Sequence, residues 1–346
     1  MKKIFAVALI IFSALVVEAQ CQEKYIDLHL HLDGAITPGI AKELAALQNI
    51  TLPVSNDQEL EKLLTLPEDS QNLNDFLKCF EFPLSLMQTP EGLRAAVRLV
   101  ANEIQSQGVI YAEFHYAPQL HTQKGMTQED AVKAALEGLK DSKLKANLIL
   151  CLMRGSDNDA ENYQTLELAR KYLVKDGGVV GLDLAGAESL YPTQNYEAIF
   201  TKASEYKIPF TIHAGEDDGP ESIRAALSFG ANRIAHGVRA YEDPEVVELI
   251  KNSGVFLGLC PTSNRMTHTV PDMSKYPLMD YFYKGIKVTI NTDDPAIEGT
   301  TLHKEFEYLR REFGLKDSQK FIMLKNSIEA AFTTDEVKEW LRREIF

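Results

Sequence analysis

Eight short runs rich in Val, Ile, Leu and Phe recur along the chain, at residues 24–30, 109–116, 146–153, 179–184, 209–213, 233–237, 255–260 and 287–291. Each has the length and apolar character of a buried strand. Most of the stretches between them carry the periodicity of a helix. In 127–141, Thr127 stands as N-cap and Ala131, Ala134, Ala135 and Leu139 repeat at helical spacing. Residues 221–229 and 244–252 predict two further helices. Strands that alternate with helices pair in parallel, because each helix is the crossover to the next strand. Eight such units predict an α/β fold of the closed (β/α)8 TIM-barrel type.

One gap is longer than a crossover needs. The first and second runs are separated by residues 31–108, with helical patterns at 40–47, 74–86 and 90–105. A barrel of ~250 residues requires no such insertion. Helices inserted after a barrel strand sit over the mouth, so this segment is read as a lid, with a decorative insertion as the alternative. The chain shows no repeat, low-complexity tract or Gly/Ser linker, which predicts one domain over 20–346.

Residues 1–19 have the pattern of an export signal. Met1-Lys2-Lys3 is basic, 4–17 is apolar apart from Ser13, and Val17-Glu18-Ala19 suits a signal peptidase. The apolar part is short for a membrane span. Cys21 could accept a lipid, but Gln20 before it fits that processing poorly. The expectation is an exported protein, periplasmic or secreted, with no membrane span in the mature chain. Cleavage after Ala19 removes Lys2, Lys3 and Glu18 and takes the net charge from −14 to −15. Such an acidic chain repels phosphate backbones, so nucleic acid is not an expected partner. Cys21, Cys79, Cys151 and Cys260 form no CxxC pair, which excludes a cysteine-based zinc site.

Barrel enzymes place reactive groups at the C-terminal ends of their strands. The first strand ends in His29-Leu-His31-Leu-Asp33-Gly34. Side chains alternate along a strand, so His29 and His31 share a face and can hold one metal. The fifth ends in His213-Ala-Gly-Glu216, where a tight Ala-Gly turn brings the carboxylate back over the mouth. The sixth ends in His236-Gly, and the eighth in Thr292-Asp293-Asp294-Pro. Adjacent aspartates point different ways, so one can bind metal while its neighbour faces substrate. Three imidazoles and one carboxylate suit one Zn2+, which lowers the pKa of bound water to ~7. Calcium and magnesium prefer oxygen donors.

These motifs, together with Gly181-Leu-Asp183-Leu-Ala-Gly186, resemble the adenosine deaminase family, in the family's order over roughly residues 25–330. The resemblance implies a zinc barrel that hydrolyses adenosine and 2′-deoxyadenosine to the inosine nucleoside and ammonia. It implies that His29, His31, His213 and Asp293 bind zinc, with Asp293 also among the catalytic groups and His31 among those near substrate. Glu216 then shares a proton with purine N1. His236 orients or deprotonates the attacking water. Asp294 is an acceptor facing N7, Gly181 a backbone donor to N3, and Asp33 a contact near the ribose 5′-hydroxyl. His115 is expected either to line the site or to play a structural role, and Cys260-Pro-Thr-Ser-Asn264 to shape the pocket wall. Asp183 is expected to be a buried hydrogen-bond acceptor, and His268 and His303 surface or packing residues.

Adenine deaminase is the nearest alternative. That relative usually carries Glu where this chain has Asp33, so Asp33 favours a ribose-bearing substrate. No basic cluster beside the motifs favours a phosphorylated one. A catalytically silent nucleoside-binding or signalling scaffold is an alternative of another class, although each expected reactive group is present.

Overall fold

The computed structural model describes residues 23–67, 70 and 72–346. The export signal read at 1–19, and Cys21, lie outside the described residues. Among the described residues there are eight strands, β1 (Tyr25–His31), β2 (Val109–Tyr116), β3 (Lys145–Met153), β4 (Val179–Ala185), β5 (Thr211–Ala214), β6 (Arg233–His236), β7 (Phe256–Leu259) and β8 (Lys287–Ile290). They pair in parallel as β1-β2-β3-β4 and β5-β6-β7-β8. Two parallel bridges, Leu182 to Phe210 and Leu30 to Asp293, join the halves into a ring. At the second seam the His31 N–H donates to the Asp293 carbonyl at 2.8 Å, and the Asp293 N–H to the His29 carbonyl at 2.9 Å. Barrel closure therefore aligns two of the predicted ligands with a third.

The crossover helices form where capping and periodicity agree. Gln128–Lys140 starts at a capping box between Thr127 and Asp130. Pro220–Phe229 and Pro244–Ser253 open on proline and stop at Gly230 and Gly254, both left-handed. Outward-facing Ile26 and Leu28 of β1 pack with Ile328, Ala331 and Leu341. Among the described residues no helix is long and apolar enough to cross a membrane.

Between β1 and β2 lie Pro38–Leu47, Asp57–Leu64, Leu73–Phe76, Glu81–Ser85 and Pro90–Ser106. The single helix expected over 74–86 is broken by a 3-10 turn at Leu77–Phe80. Pro83 lies just inside the restarted helix, where it lacks the N–H that a continuous helix would need. Asp57–Leu64 escaped the periodicity reading because only Leu60 and Leu64 form its buried stripe. Asn56 caps it by accepting from the Glu59 N–H at 2.9 Å.

Near the base of the barrel Arg233 meets Glu113 at 2.5 Å, and both are buried. Glu113 also accepts from Tyr111 Oη at 2.9 Å and the Phe332 N–H at 2.6 Å. Removing one partner of such a pair strands the other charge. Glu113→Ala is expected to cost about 3–5 kcal/mol of folding free energy. A lower denaturant midpoint would check this; an unchanged midpoint would refute it.

Candidate active site and metal centre

The alternation of β1 turns His29 and His31 to one face. His213 enters from β5, and Asp293 from just beyond β8. His29 Nε2 lies 3.0 Å from Asp293 Oδ1. His31 Nε2 lies 3.2 Å from His213 Nε2 and 3.3 Å from Asp293 Oδ1. The donors of all four residues fall within 4.8 Å of one another. Tetrahedral donors about 2.1 Å from an ion stand roughly 3.4 Å apart, so the spacing fits one metal.

The surroundings also call for positive charge there. Burial opposes a charged His31, but Asp294, Asp293 and Asp33 outweigh it and hold its pKa up at about 10. A cation among these donors meets the same field. His213 is set from behind: its Nδ1 lies 2.9 Å from Asp183 Oδ2, an ionic contact that leaves Nε2 facing inward. Asp183 Oδ2 also lies 3.0 Å from His115 Nδ1, while His115 Nε2 faces the Leu28 carbonyl at 3.1 Å. Burial alone would raise the Asp183 carboxyl, but His213 and His115 hold it well below its ordinary range.

A second group of side chains faces this cluster. His236 Nε2 lies 3.5 Å from Glu216 Oε2 and 3.6 Å from Asp293 Oδ2, with no hydrogen-bond partner. Its tautomer follows from its other neighbours. Tyr276 Oη donates to Asn264 Oδ1 at 3.0 Å, which turns the Asn264 amide nitrogen toward His236 Nδ1 at 3.1 Å. Nδ1 is therefore the acceptor and Nε2 carries the proton. Burial lowers the His236 pKa to about 3, so the ring is a neutral donor. Asn264→Asp would offer Nδ1 an acceptor and reverse the tautomer. The expected result is about a 10²-fold fall in kcat with metal content unchanged; unaltered kcat would refute this tautomer.

Glu216 is buried and its pKa is raised well above 4.5, by burial first, then by Asp293, Glu188, Asp217 and Asp294. Asp294 is likewise raised, by burial and by Asp293. Asp294 packs against Gly34, where an added Cβ would fall 1.7 Å from its Oδ1. His236 and Asp293 have left-handed backbones, φ 62° and 66°, a cost of about 1–2 kcal/mol each for residues with a Cβ. That strain aims both side chains inward.

These groups floor a cavity of about 280 Å3. Its polar side holds His31, Asp33, His213, Glu216, His236, Asp293 and Asp294. Its apolar side is made by Leu73, Phe76, Leu77, Phe80 and Leu84 from the inserted segment. A flat heterocycle with a few polar edges suits such a lining. A family profile described as adenosine deaminase matches residues 25–346.

The chain belongs to the adenosine deaminase family.

It is similar to the adenosine deaminase of Haemophilus ducreyi, at 45% identity over 330 residues, covering 94% of this chain and 96% of that one. The adenosine deaminase of Enterococcus faecalis is 38% identical over 324 residues, covering 92% and 95%. Among solved structures, the adenine deaminase of Arthrobacter aurescens has a TM-score of 0.83 at 27% identity, covering 93% of this chain and 98% of that one. The family and the donor cluster make this chain a metal-dependent hydrolytic deaminase.

One expectation changes in this deaminase. Gly181 is away from the mouth, where an added Cβ would lie 2.8 Å from the Pro209 carbonyl and 3.0 Å from the Phe332 ring. Gly186, at the C-terminal end of β4, lines the cavity instead, with φ 104°. Position along the strand was the signal that separates the two glycines. Asp294, expected to face N7, lines the cavity, and burial, then Asp293, raises its carboxyl pKa well above the ordinary range. His121 is buried elsewhere against the Met87 carbonyl, and His268 and His303 are exposed. Cys79, Cys151 and Cys260 are free thiols. Arg154 and Glu188 carry no motif of their own and were missed as site residues, whereas Asn264, expected to shape the pocket wall, contacts His236 Nδ1.

Proposed function

We propose that this protein hydrolyses adenosine, and 2′-deoxyadenosine, to the inosine nucleoside and ammonia, with zinc as its ion. The observation that carries this reading is the buried Glu216, its carboxyl pKa raised by burial and Asp293, in one cavity with the four-donor cluster. Three imidazoles and a carboxylate are the donor set of zinc. When bound, such an ion supplies Lewis acidity that makes water nucleophilic near neutral pH.

The chain's own residues do the rest. Glu216 gives its proton to N1, which leaves C6 electron-poor. His236 donates from Nε2 and orients the incoming oxygen, and its neutral, buried ring suits this role better than that of a base. Asp294 donates to N7, and the Gly186 backbone stands where the purine edge passes. As water adds at C6 its proton passes to the Glu216 carboxylate left by N1 protonation; Glu216 then gives that proton to the exocyclic amine, the C6–N bond breaks with release of ammonia, and the C6 hydroxyl proton returns to Glu216 as the carbonyl forms. Asp33, buried beside His31 at the cavity, supports a hydroxyl-bearing sugar. The inserted segment acts as a lid, a role supported by the five apolar side chains it places on the cavity. The product is released outside the cytoplasm, on the strength of residues 1–19.

Purified protein offered adenosine, 2′-deoxyadenosine, adenine and AMP should release ammonia fastest from the two nucleosides. Faster turnover of adenine would overturn the substrate. No ammonia from any of them would favour the silent scaffold.

A further inference from the structure

Glu188 lies two residues beyond Gly186 and is fully buried. Its Oε1 accepts from the Gly215 N–H at 2.6 Å. Its Oε2 accepts from the N–H groups of Glu216 at 2.9 Å, Asp217 at 2.8 Å and Asp218 at 3.2 Å. Four consecutive N–H groups thus converge on one side-chain carboxylate. The arrangement is a backbone nest of the kind that binds anions, filled here by the protein itself. We infer that Glu188 is the positioning residue for Glu216, holding the loop that carries the acid to the purine; this rests on the role proposed above for Glu216.

The loop needs such a hold. Gly215 turns it with φ 68°, and an added Cβ there would fall 2.3 Å from Ile223 Cδ1. The segment then leaves β5 without a strand partner for its N–H groups. Glu188 supplies that partner through charge-assisted bonds, which are shorter and stronger than neutral ones. The carbonyl side is held separately. Arg239 N–H donates to the Gly215 carbonyl at 3.0 Å and Arg239 Nη1 to the Asp217 carbonyl at 3.1 Å.

The other end of the motif is gripped from the same side of the barrel. Buried Arg154 donates from Nη2 to the His213 carbonyl at 2.6 Å and to Thr193 Oγ1 at 2.9 Å. Its Nη1 donates to the Tyr191 carbonyl at 2.6 Å. Arg154, just beyond β3 and itself held by the segment that follows β4, therefore grips the His213 end of the motif, while Glu188 from that segment holds the Glu216 end. Glu188 fixes the acid relative to the ligand histidine three residues before it. After burial and Asp293, Glu188 is the next group that raises the Glu216 pKa.

Glu188→Gln keeps the size of the side chain, removes the charge and turns an amide NH2 toward N–H groups. The expected result on adenosine is about a 10²-fold fall in kcat, the scale of a misplacement of about 1 Å, with KM within about threefold. Metal content should stay unchanged. A double-mutant cycle with Glu216→Gln separates positioning from general support of the fold. Positioning predicts that Glu188→Gln costs less than about threefold once Glu216 is already Gln. Losses that multiply in the double variant, or an unchanged kcat in Glu188→Gln, would overturn the inference. Near-normal turnover by Glu216→Gln alone would instead sink the acid role of Glu216. If Glu188→Gln fails to fold, Glu188→Asp enters the same cycle: it keeps the charge, shortens the reach by one methylene, and should show a smaller loss with the same non-additivity. Additive losses with Asp would equally overturn it.

Discussion

Glu216→Gln is expected to lower kcat for adenosine by on the order of 10²–10⁴-fold, the range that general acid catalysis contributes. The amide keeps the shape of the side chain and its place in the cavity, but has no proton of suitable acidity to give N1. Burial, then Asp293, Glu188, Asp217 and Asp294, raises the Glu216 carboxyl well above 4.5. A raised carboxyl is reactive as the acid at pH below its pKa and loses that role as pH climbs through it. The parent enzyme should therefore show kcat declining on the alkaline side, and this limb should be absent from the Gln variant. Metal content should be equal in the two proteins, because the amide leaves the four donors untouched. Steady-state kinetics over pH, with metal analysis of each preparation, would check the prediction. A variant that turns over near the parental rate would remove Glu216 from the acid role.

Stripping the divalent ion should abolish turnover, and added zinc should restore it. The lost Lewis acidity is worth several kcal/mol at the transition state, which corresponds to at least about 10³-fold in rate. His213→Ala should lose both metal and activity, since each donor sits in the 3.0–3.3 Å contacts that define the cluster. The ion also binds only the folded chain, where residues from β1, β5 and the end of β8 meet, so its removal should lower Tm. Full activity after stringent chelation, with metal analysis showing none bound, would refute the metal role.

Much of this site was legible from local rules. His29 and His31 could be paired because a strand has a side-chain period of two. His213, His236 and Asp293 could be placed at one mouth because each closes an apolar run of strand length. Glu216 followed from the glycine turn after His213. Other features needed information that a linear reading lacks. Gly181 lies within β4 and Gly186 just beyond its C-terminal end, and the direction of the strand in the barrel puts only the second at the mouth. Asp294 reads as an ordinary carboxylate in the sequence, whereas burial and Asp293 raise its pKa well above the usual range. The helix expected over 74–86 overlooked how one proline restarts a helix at Glu81.

Strand order, barrel closure and the donor types of the metal site were determined by the sequence alone, because they follow from periodicity and chain direction within a few residues. The raised pKa of Glu216 and Asp294, the tautomer of His236 and the grip of Glu188 were decided only by the tertiary structure. Each depends on how much water is excluded and on which distant groups arrive. Asn264 sets His236 across 28 positions, Glu188 holds the Glu216 N–H across 28, and His29 meets Asp293 across 264. The identity of a reactive group is local, but its charge and aim belong to the environment that folding assembles around it.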